Sequence, residues 1–114
     1  MIRSWQEIRN HYASLAGAGD SIGAMLKLVD EIESSPYNVG LFAWTSMHDL
    51  YIVQTPVEYP YNGPYLRISP IKNGELEFRY IDTTIEEQQW HRVVDGTNGF
   101  DRLERFIKQL HWFG

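Results

Sequence analysis

The order of two hydrophobic patterns constrains the fold of this chain more than any other feature. Apolar residues recur at helical spacing near both ends of the sequence, and short apolar runs typical of strands lie between them. Clusters of Gly, Pro, Ser and Asn separate these runs. The order predicts an α+β fold in which an antiparallel meander sheet of four to five strands packs against two N-terminal helices and one C-terminal helix.

Length and composition narrow the class of protein. The 114 residues, of which 43% are hydrophobic, match one packed domain spanning 1–114. The absence of cysteine excludes disulfides, thiolate metal ligands and a cysteine nucleophile, and a reducing compartment is the simplest setting. The N-terminus lacks the apolar core of a signal peptide, and no apolar run is long enough to span a membrane. These features predict a cytoplasmic protein with no membrane partner.

The net charge of −5 limits the classes of partner. An acidic chain without a clustered basic face matches nucleic acid poorly, so no nucleic-acid partner is predicted. The same acidity suits a basic protein partner.

Capping residues predict where the helices begin and end. The Ser4 to Glu7 capping box predicts a first helix over 5–15, and Asp20 is the predicted cap of a second helix that ends at 34–36. Thr97 or Asn98 is the predicted cap of the last helix, whose buried face comprises Phe100, Leu103, Phe106, Ile107, Leu110 and Phe113.

A first hairpin is predicted from the apolar runs 39–45 and 50–53 around a turn at 46–49. Both faces of these strands are apolar, which places the hairpin either in the centre of the sheet or at a homodimer interface.

A second hairpin joins 65–69 to 75–81, and its register can be derived. A three-residue loop, 72–74, with Gly74 in the left-handed conformation puts Ile68 opposite Phe78 and gives one consistent apolar face, whereas a two-residue loop would put Ile68 opposite Arg79. The preferred register places Arg67 directly opposite Arg79.

Like charges facing each other across a sheet are unfavourable, so the two arginines need an offset. One interpretation is local neutralisation by Glu77, diagonal to Arg67, or by Glu58 and Glu75. The other is an anionic ligand, or a partner carboxylate, held by the two guanidinium groups.

The segment between the hairpins carries three prolines and three tyrosines, Tyr59, Tyr61 and Tyr65. These tyrosines either cover the sheet edge or present rigid amphipathic surfaces to a partner. Residues 84–90 are predicted as a loop, with a helical turn opened by Thr84 as the alternative, before a strand over 91–94. If that strand lies beside the Arg79 strand, Trp90 and His91 join the arginine site.

Motifs for catalysis are missing from the sequence. There is no glycine-rich phosphate loop, no H-E-x-x-H and no G-x-S-x-G, and the four histidines lack ligand spacing, so no catalytic residue, metal site or cofactor is predicted. The leading hypothesis is a binding or regulatory module that recognises a protein partner, as an inhibitor or immunity protein does. The alternative is a binder of small anions, or a modest enzyme, that uses Arg67, Arg79 and His91.

Overall fold

The computed structural model describes residues 2–15, 17–56, 63–82 and 84–113. Within these residues the chain forms three α-helices and a five-stranded antiparallel sheet with the strand order β1-β2-β3-β4-β5. The helices are α1 (Trp5–Ser14), α2 (Asp20–Glu33) and α3 (Gly99–Gln109), and the strands are β1 (Phe42–Ser46), β2 (Asp49–Val53), β3 (Tyr65–Pro70), β4 (Glu75–Ile81) and β5 (Trp90–Asp95). The α+β meander predicted from the sequence is confirmed.

The first helix begins at the predicted capping box. The Ser4 side chain accepts a hydrogen bond from the Glu7 backbone N–H, and the Glu7 carboxylate accepts one from the Ser4 backbone N–H. The helix ends at Ser14, one residue earlier than predicted.

The second helix begins at Asp20, the residue predicted as its cap, and ends at Glu33, just before the predicted stop at 34–36. Gly19, with a φ of 136°, is the N-cap, and Asp20 is the first helical residue, where its carboxylate faces the positive end of the helix dipole. The prediction of Asp20 as the cap is therefore wrong, because the chain turns into the helix through a conformation that glycine adopts readily.

The register of the second hairpin is confirmed. Ile68 pairs with Phe78, Arg67 pairs with Arg79, and Gly74 has a φ of 74° in the loop. The pairing of β3 with β4 thus follows the local turn chemistry.

The first hairpin turns through Met47 and His48, with Ser46 opposite Asp49. Its β1 strand lies at the edge of the sheet, so the prediction of a central hairpin is wrong for β1. Both faces of the hairpin are apolar for another reason: the core covers one face, and the rings of Trp44 and Tyr51 stack on the other.

The segment from residue 84 to the end of the described chain differs from the sequence-based prediction in three places. Residues Glu86–Gln88 form one 3-10 turn, without a Thr84 cap, before β5, and Asn98 is the N-cap of α3 without a side-chain hydrogen bond. Phe113 is 52% exposed, whereas Trp112 is 8% exposed. The prediction that Phe113 is buried is wrong, because the helix ends at Gln109 and His111, with a φ of 58°, redirects the chain.

All three helices pack on one face of the sheet. Buried residues from each helix, including Ile8, Leu28 and Leu103, share one core with the inward-facing strand residues. The opposite face carries Arg67 and Arg79 and is called the arginine face below. In the part of the chain that the structure describes, no helix is both long and apolar enough to cross a membrane.

Candidate functional site

The strand registers align one residue from each of the five strands across the arginine face. Successive antiparallel partners are Trp44 with Tyr51, Tyr51 with Arg67, Arg67 with Arg79, and Arg79 with His91. Because residues directly opposite each other point to the same side of a sheet, these five side chains form a continuous cross-strand row.

The β1–β2 end of the cross-strand row is aromatic. The rings of Trp44 and Tyr51 are stacked, with centroids 5.3 Å apart and planes 8° from parallel. The Tyr65 ring lies 5.6 Å from the Tyr51 ring, and the Arg67 guanidinium lies 5.4 Å from the Tyr51 centroid. Stacking and cation–π contacts hold these half-buried side chains in one arrangement.

Arg67 is paired with a carboxylate from the neighbouring strand. Its Nε donates to Asp49 Oδ2 at 2.8 Å, and its Nη2 lies 2.6 Å from the same oxygen. The hydrogen bond from the arginine to Asp49 raises the pKa of Arg67. The sequence-based interpretation that Glu77, Glu58 or Glu75 neutralises the arginine pair does not include Asp49, which is the carboxylate that binds Arg67.

Glu77 is the ion-pair partner of Arg79, two residues along the same strand. Glu77 Oε1 lies 2.9 Å from Arg79 Nε, but the N–H is not directed at this oxygen, so the contact is an ion pair without a hydrogen bond. Arg79 Nε is buried and has no hydrogen-bond partner among the described residues.

The charges at the centre of the arginine face are therefore balanced. Two guanidinium groups, Arg67 and Arg79, lie beside two carboxylates, Asp49 and Glu77, and each ion pair is only partly exposed. The repulsion expected between the opposed arginines is offset by local carboxylates. The centre of the face can offer stacked aromatic surface and guanidinium donors without a net local charge.

The structure brings together some of the sequence-predicted site residues and separates others. Arg67, Arg79 and His91 lie in the cross-strand row, and Tyr65 lies beside it. Trp90 points to the opposite face, where its ring is 4.7 Å from the Phe106 ring, because successive residues of a strand alternate sides. The prediction that Trp90 joins the arginine site is therefore wrong. The predicted positions Tyr59 and Tyr61, and also Glu58, lie outside the described residues.

Sequence reasoning missed three residues of this face, Trp44, Tyr51 and Asp49. The two-residue turn at Met47 and His48 would have placed Trp44 opposite Tyr51. The pairing of β2 with β3 has no comparable local signal, because a long segment joins these strands. Among the described residues, no cluster of three or more His, Asp or Glu side chains could hold a metal ion.

Comparison with known proteins adds no relative: no protein-family model matches the chain, and no curated protein or solved structure matches it significantly.

Proposed function

We propose that this chain is a binding module that recognises a protein partner through the arginine face. The observation that carries the proposal is the cross-strand row of Trp44, Tyr51, Arg67, Arg79 and His91. Tryptophan, tyrosine and arginine are the residues that most often dominate binding energy at protein interfaces. All three residue types are neighbours in the cross-strand row.

The side chains of the row are already held in fixed positions, which supports recognition of a large partner. The stacked Trp44 and Tyr51 rings and the bound Arg67 side chain are held by contacts within the protein. Side chains that are already ordered lose little conformational entropy when a partner binds. A row that crosses five strands, each about 4.8 Å from the next, also suits a broad contact better than a small ligand.

The charge of the chain indicates the kind of partner. The four charges at the centre of the arginine face cancel, whereas the whole chain carries −5. Long-range attraction would therefore favour a basic protein, with the face supplying the short-range contacts, as in the complex of an acidic inhibitor with its target.

The test compares partner capture by wild type, by a variant of the arginine face and by a control variant with substitutions elsewhere on the surface. Wild type, Trp44→Ala/Arg79→Ala and a control, Val39→Ala/Arg105→Ala, are immobilised and exposed to a lysate of the source cells, and the captured proteins are then purified for affinity measurements. Val39 and Arg105 are exposed and belong to none of the five strands. A partner that wild type and control bind equally, and that the face variant binds at least about tenfold more weakly, supports the proposal. Equal binding by all three proteins contradicts it.

A second candidate function is binding of a small anion between the two arginines, favoured by their direct opposition in β3 and β4. Thermal unfolding with phosphates, nucleotides and carboxylates tests it. A ligand that stabilises wild type but not Arg67→Ser/Arg79→Ser supports this function. Because Asp49 and Glu77 already neutralise the arginines, we expect no stabilisation.

A further inference from the structure

The two edges of the sheet are covered to different extents. At the β1 edge, the Arg3 backbone N–H donates to Ala43 O at 2.8 Å, so the N-terminal segment pairs with part of this strand. At the β5 edge, no segment of the described chain forms a comparable bridge. His91, Arg92 and Val93 are exposed there, and the exposed fraction of Val93 is 50%. An open edge strand presents unpaired backbone groups that can pair with another chain.

The hydrogen bonds between β4 and β5 show which backbone groups of β5 point outward. Gly96 N–H donates to Gly74 O at 2.9 Å, and this pair continues the β4–β5 register. Hydrogen-bonded and non-hydrogen-bonded pairs alternate along an antiparallel ladder. His91, Val93 and Asp95 therefore belong to non-hydrogen-bonded pairs, and their backbone N–H groups point away from β4.

The backbone carbonyl of His91 confirms this orientation. Arg92 Nη1, on an exposed side chain, donates to His91 O at 2.8 Å, so this oxygen is accessible from the outer edge. A carbonyl oxygen has two lone pairs, so it can accept from a second donor as well. The backbone N–H and C=O of Val93 have no hydrogen-bond partner among the described residues. The middle of the β5 edge is therefore open to pairing.

A second copy of the chain is complementary to this edge in one register. If Val93 lies opposite Val93 of the other copy, His91 lies opposite Asp95, and the outward backbone groups of both strands meet as an antiparallel pair requires. The two exposed valines then cover each other. Asp95 accepts from Thr97 through Oδ1, which leaves Oδ2 for an imidazole N–H of the other copy.

Neighbouring registers are less favourable. A pair centred on Arg92 puts two guanidinium groups opposite each other, and a pair centred on Asp95 does the same with two carboxylates. A pair centred on Val94 puts the exposed Val93 opposite Asp95. Among registers centred within 92–95, only the one centred on Val93 matches apolar with apolar and base with acid on the arginine face.

We propose that the chain forms a homodimer by antiparallel pairing of two β5 edges, centred on Val93. The inference goes beyond the proposed function and does not depend on it. Residues directly opposite each other point to the same side of a sheet, so the arginine faces of both copies lie on one side of a continuous sheet. The dimer thus presents two arginine faces side by side.

Cysteine cross-linking tests the register, because the chain contains no cysteine of its own. In a hydrogen-bonded antiparallel pair the Cα atoms are about 5.5 Å apart, within the range that a disulfide spans. Oxidised Val93→Cys should therefore form a covalent dimer, whereas Arg92→Cys should stay mostly monomeric. No cross-link at position 93, or equal cross-linking of both variants, would overturn the proposal.

Sedimentation equilibrium of the chain without cysteine measures the dimer itself. We expect wild type to dimerise with a dissociation constant below about 100 μM. Val93→Asp should weaken dimerisation about tenfold or more, because it places two carboxylates opposite each other. The matched control, Ile85→Asp, changes an exposed apolar residue outside the strands and should dimerise like wild type. A dimer that Val93→Asp does not weaken forms through another surface, which would overturn the proposal.

Val93→Pro separates loss of pairing from loss of folding. Proline removes an N–H that points outward, and edge strands tolerate proline at such positions. The variant should be monomeric, with a melting temperature in dilute solution within about 4 °C of wild type. Arg92→Pro is the control, because it removes an N–H directed at β4 and should lower the melting temperature. If wild type remains monomeric at about 500 μM, or Val93→Pro folds and still dimerises, β5 pairing is excluded.

Discussion

Glu7 illustrates how a single residue links helix formation to pH. The Ser4 backbone N–H donates to Glu7 Oε1 at 3.3 Å, and the Ser4 hydroxyl donates to the same oxygen at 3.2 Å. These hydrogen bonds, with a smaller contribution from Arg3, lower the pKa of Glu7 below its usual value of 4.5 because they favour the ionised carboxylate. Such a group stabilises the folded state above its unfolded pKa, and the contribution is lost as the pH falls through its folded pKa.

We predict that Glu7→Gln changes the pH dependence of stability in one direction only. The amide keeps the shape of the capping box but carries no charge, so the variant should be less stable than wild type at pH 7. The difference should shrink as the pH falls below about 4.5 and vanish once Glu7 is protonated. Urea unfolding at several pH values measures it, with Glu87→Gln, an exposed site before β5, as the control. A difference that grows in acid would contradict the assignment.

At the scale of elements, a close approach of two glycines joins the β3–β4 hairpin to the end of β5 and to α2. Gly96, just after β5, donates its N–H to Gly74 O at 2.9 Å. A Cβ added at Gly96 would lie 2.3 Å from Gly74 O and 2.5 Å from Ala24 Cβ. Neither neighbour is the end of a flexible side chain, so the hairpin, β5 and α2 are locked together at this point.

We therefore expect Gly96→Ala to cost about 1–3 kcal/mol of unfolding free energy, since backbone must shift to admit the methyl group. Gly23→Ala is the matched control: it lies in α2 with no atom within 4 Å of the added Cβ, and should gain about 0.5–1 kcal/mol from helix propensity. Chemical denaturation measures the unfolding free energy of both variants. Equal effects at the two positions would show that the junction tolerates a side chain.

The end of α3 offers a second comparison between neighbouring residues. Trp112 is buried in the core, whereas Phe113 is half exposed and contacts Tyr37, with ring centroids 5.6 Å apart. Trp112→Ala should lose about 3–5 kcal/mol of unfolding free energy, and Phe113→Ala about 1 kcal/mol or less. Denaturant unfolding should rank them in this order, and the reverse order would restore the sequence-based assignment of Phe113 to the core.

Local patterns predicted the elements and their meander order, but not the register between β2 and β3. The register that opposes Arg67 to Arg79 follows from a loop of three residues and the apolar alternation on either side. The ion pair of Arg67 with Asp49 depends on pairing between β2 and β3, which no turn dictates. Successive residues of a strand alternate sides, so the sequence already places Trp90 and His91 on opposite faces.

Over the whole molecule, charge and contact surface are separated. Asp49, Arg67, Glu77 and Arg79 cancel at the centre of the arginine face, so the excess of 15 acidic over 10 basic residues is carried by the rest of the chain. A distributed negative charge acts at long range and is screened by salt, whereas hydrogen bonds and aromatic contacts act only once the surfaces meet. In the proposed complex, long-range electrostatic attraction and short-range contacts would thus depend on different residues.

This separation predicts how salt changes the binding of the proposed basic partner. Raising NaCl from about 50 to 500 mM should lower the association rate constant about tenfold or more, because screening removes the long-range attraction. The dissociation rate constant should change less than about twofold, since the four charges at the centre of the face cancel. Stopped-flow mixing with the captured partner measures both rate constants. The Trp44→Ala variant should dissociate faster than wild type and associate at an unchanged rate. An association rate constant that does not change with salt would exclude a basic partner. A dissociation rate constant that changes with salt would show that ion pairs lie inside the interface.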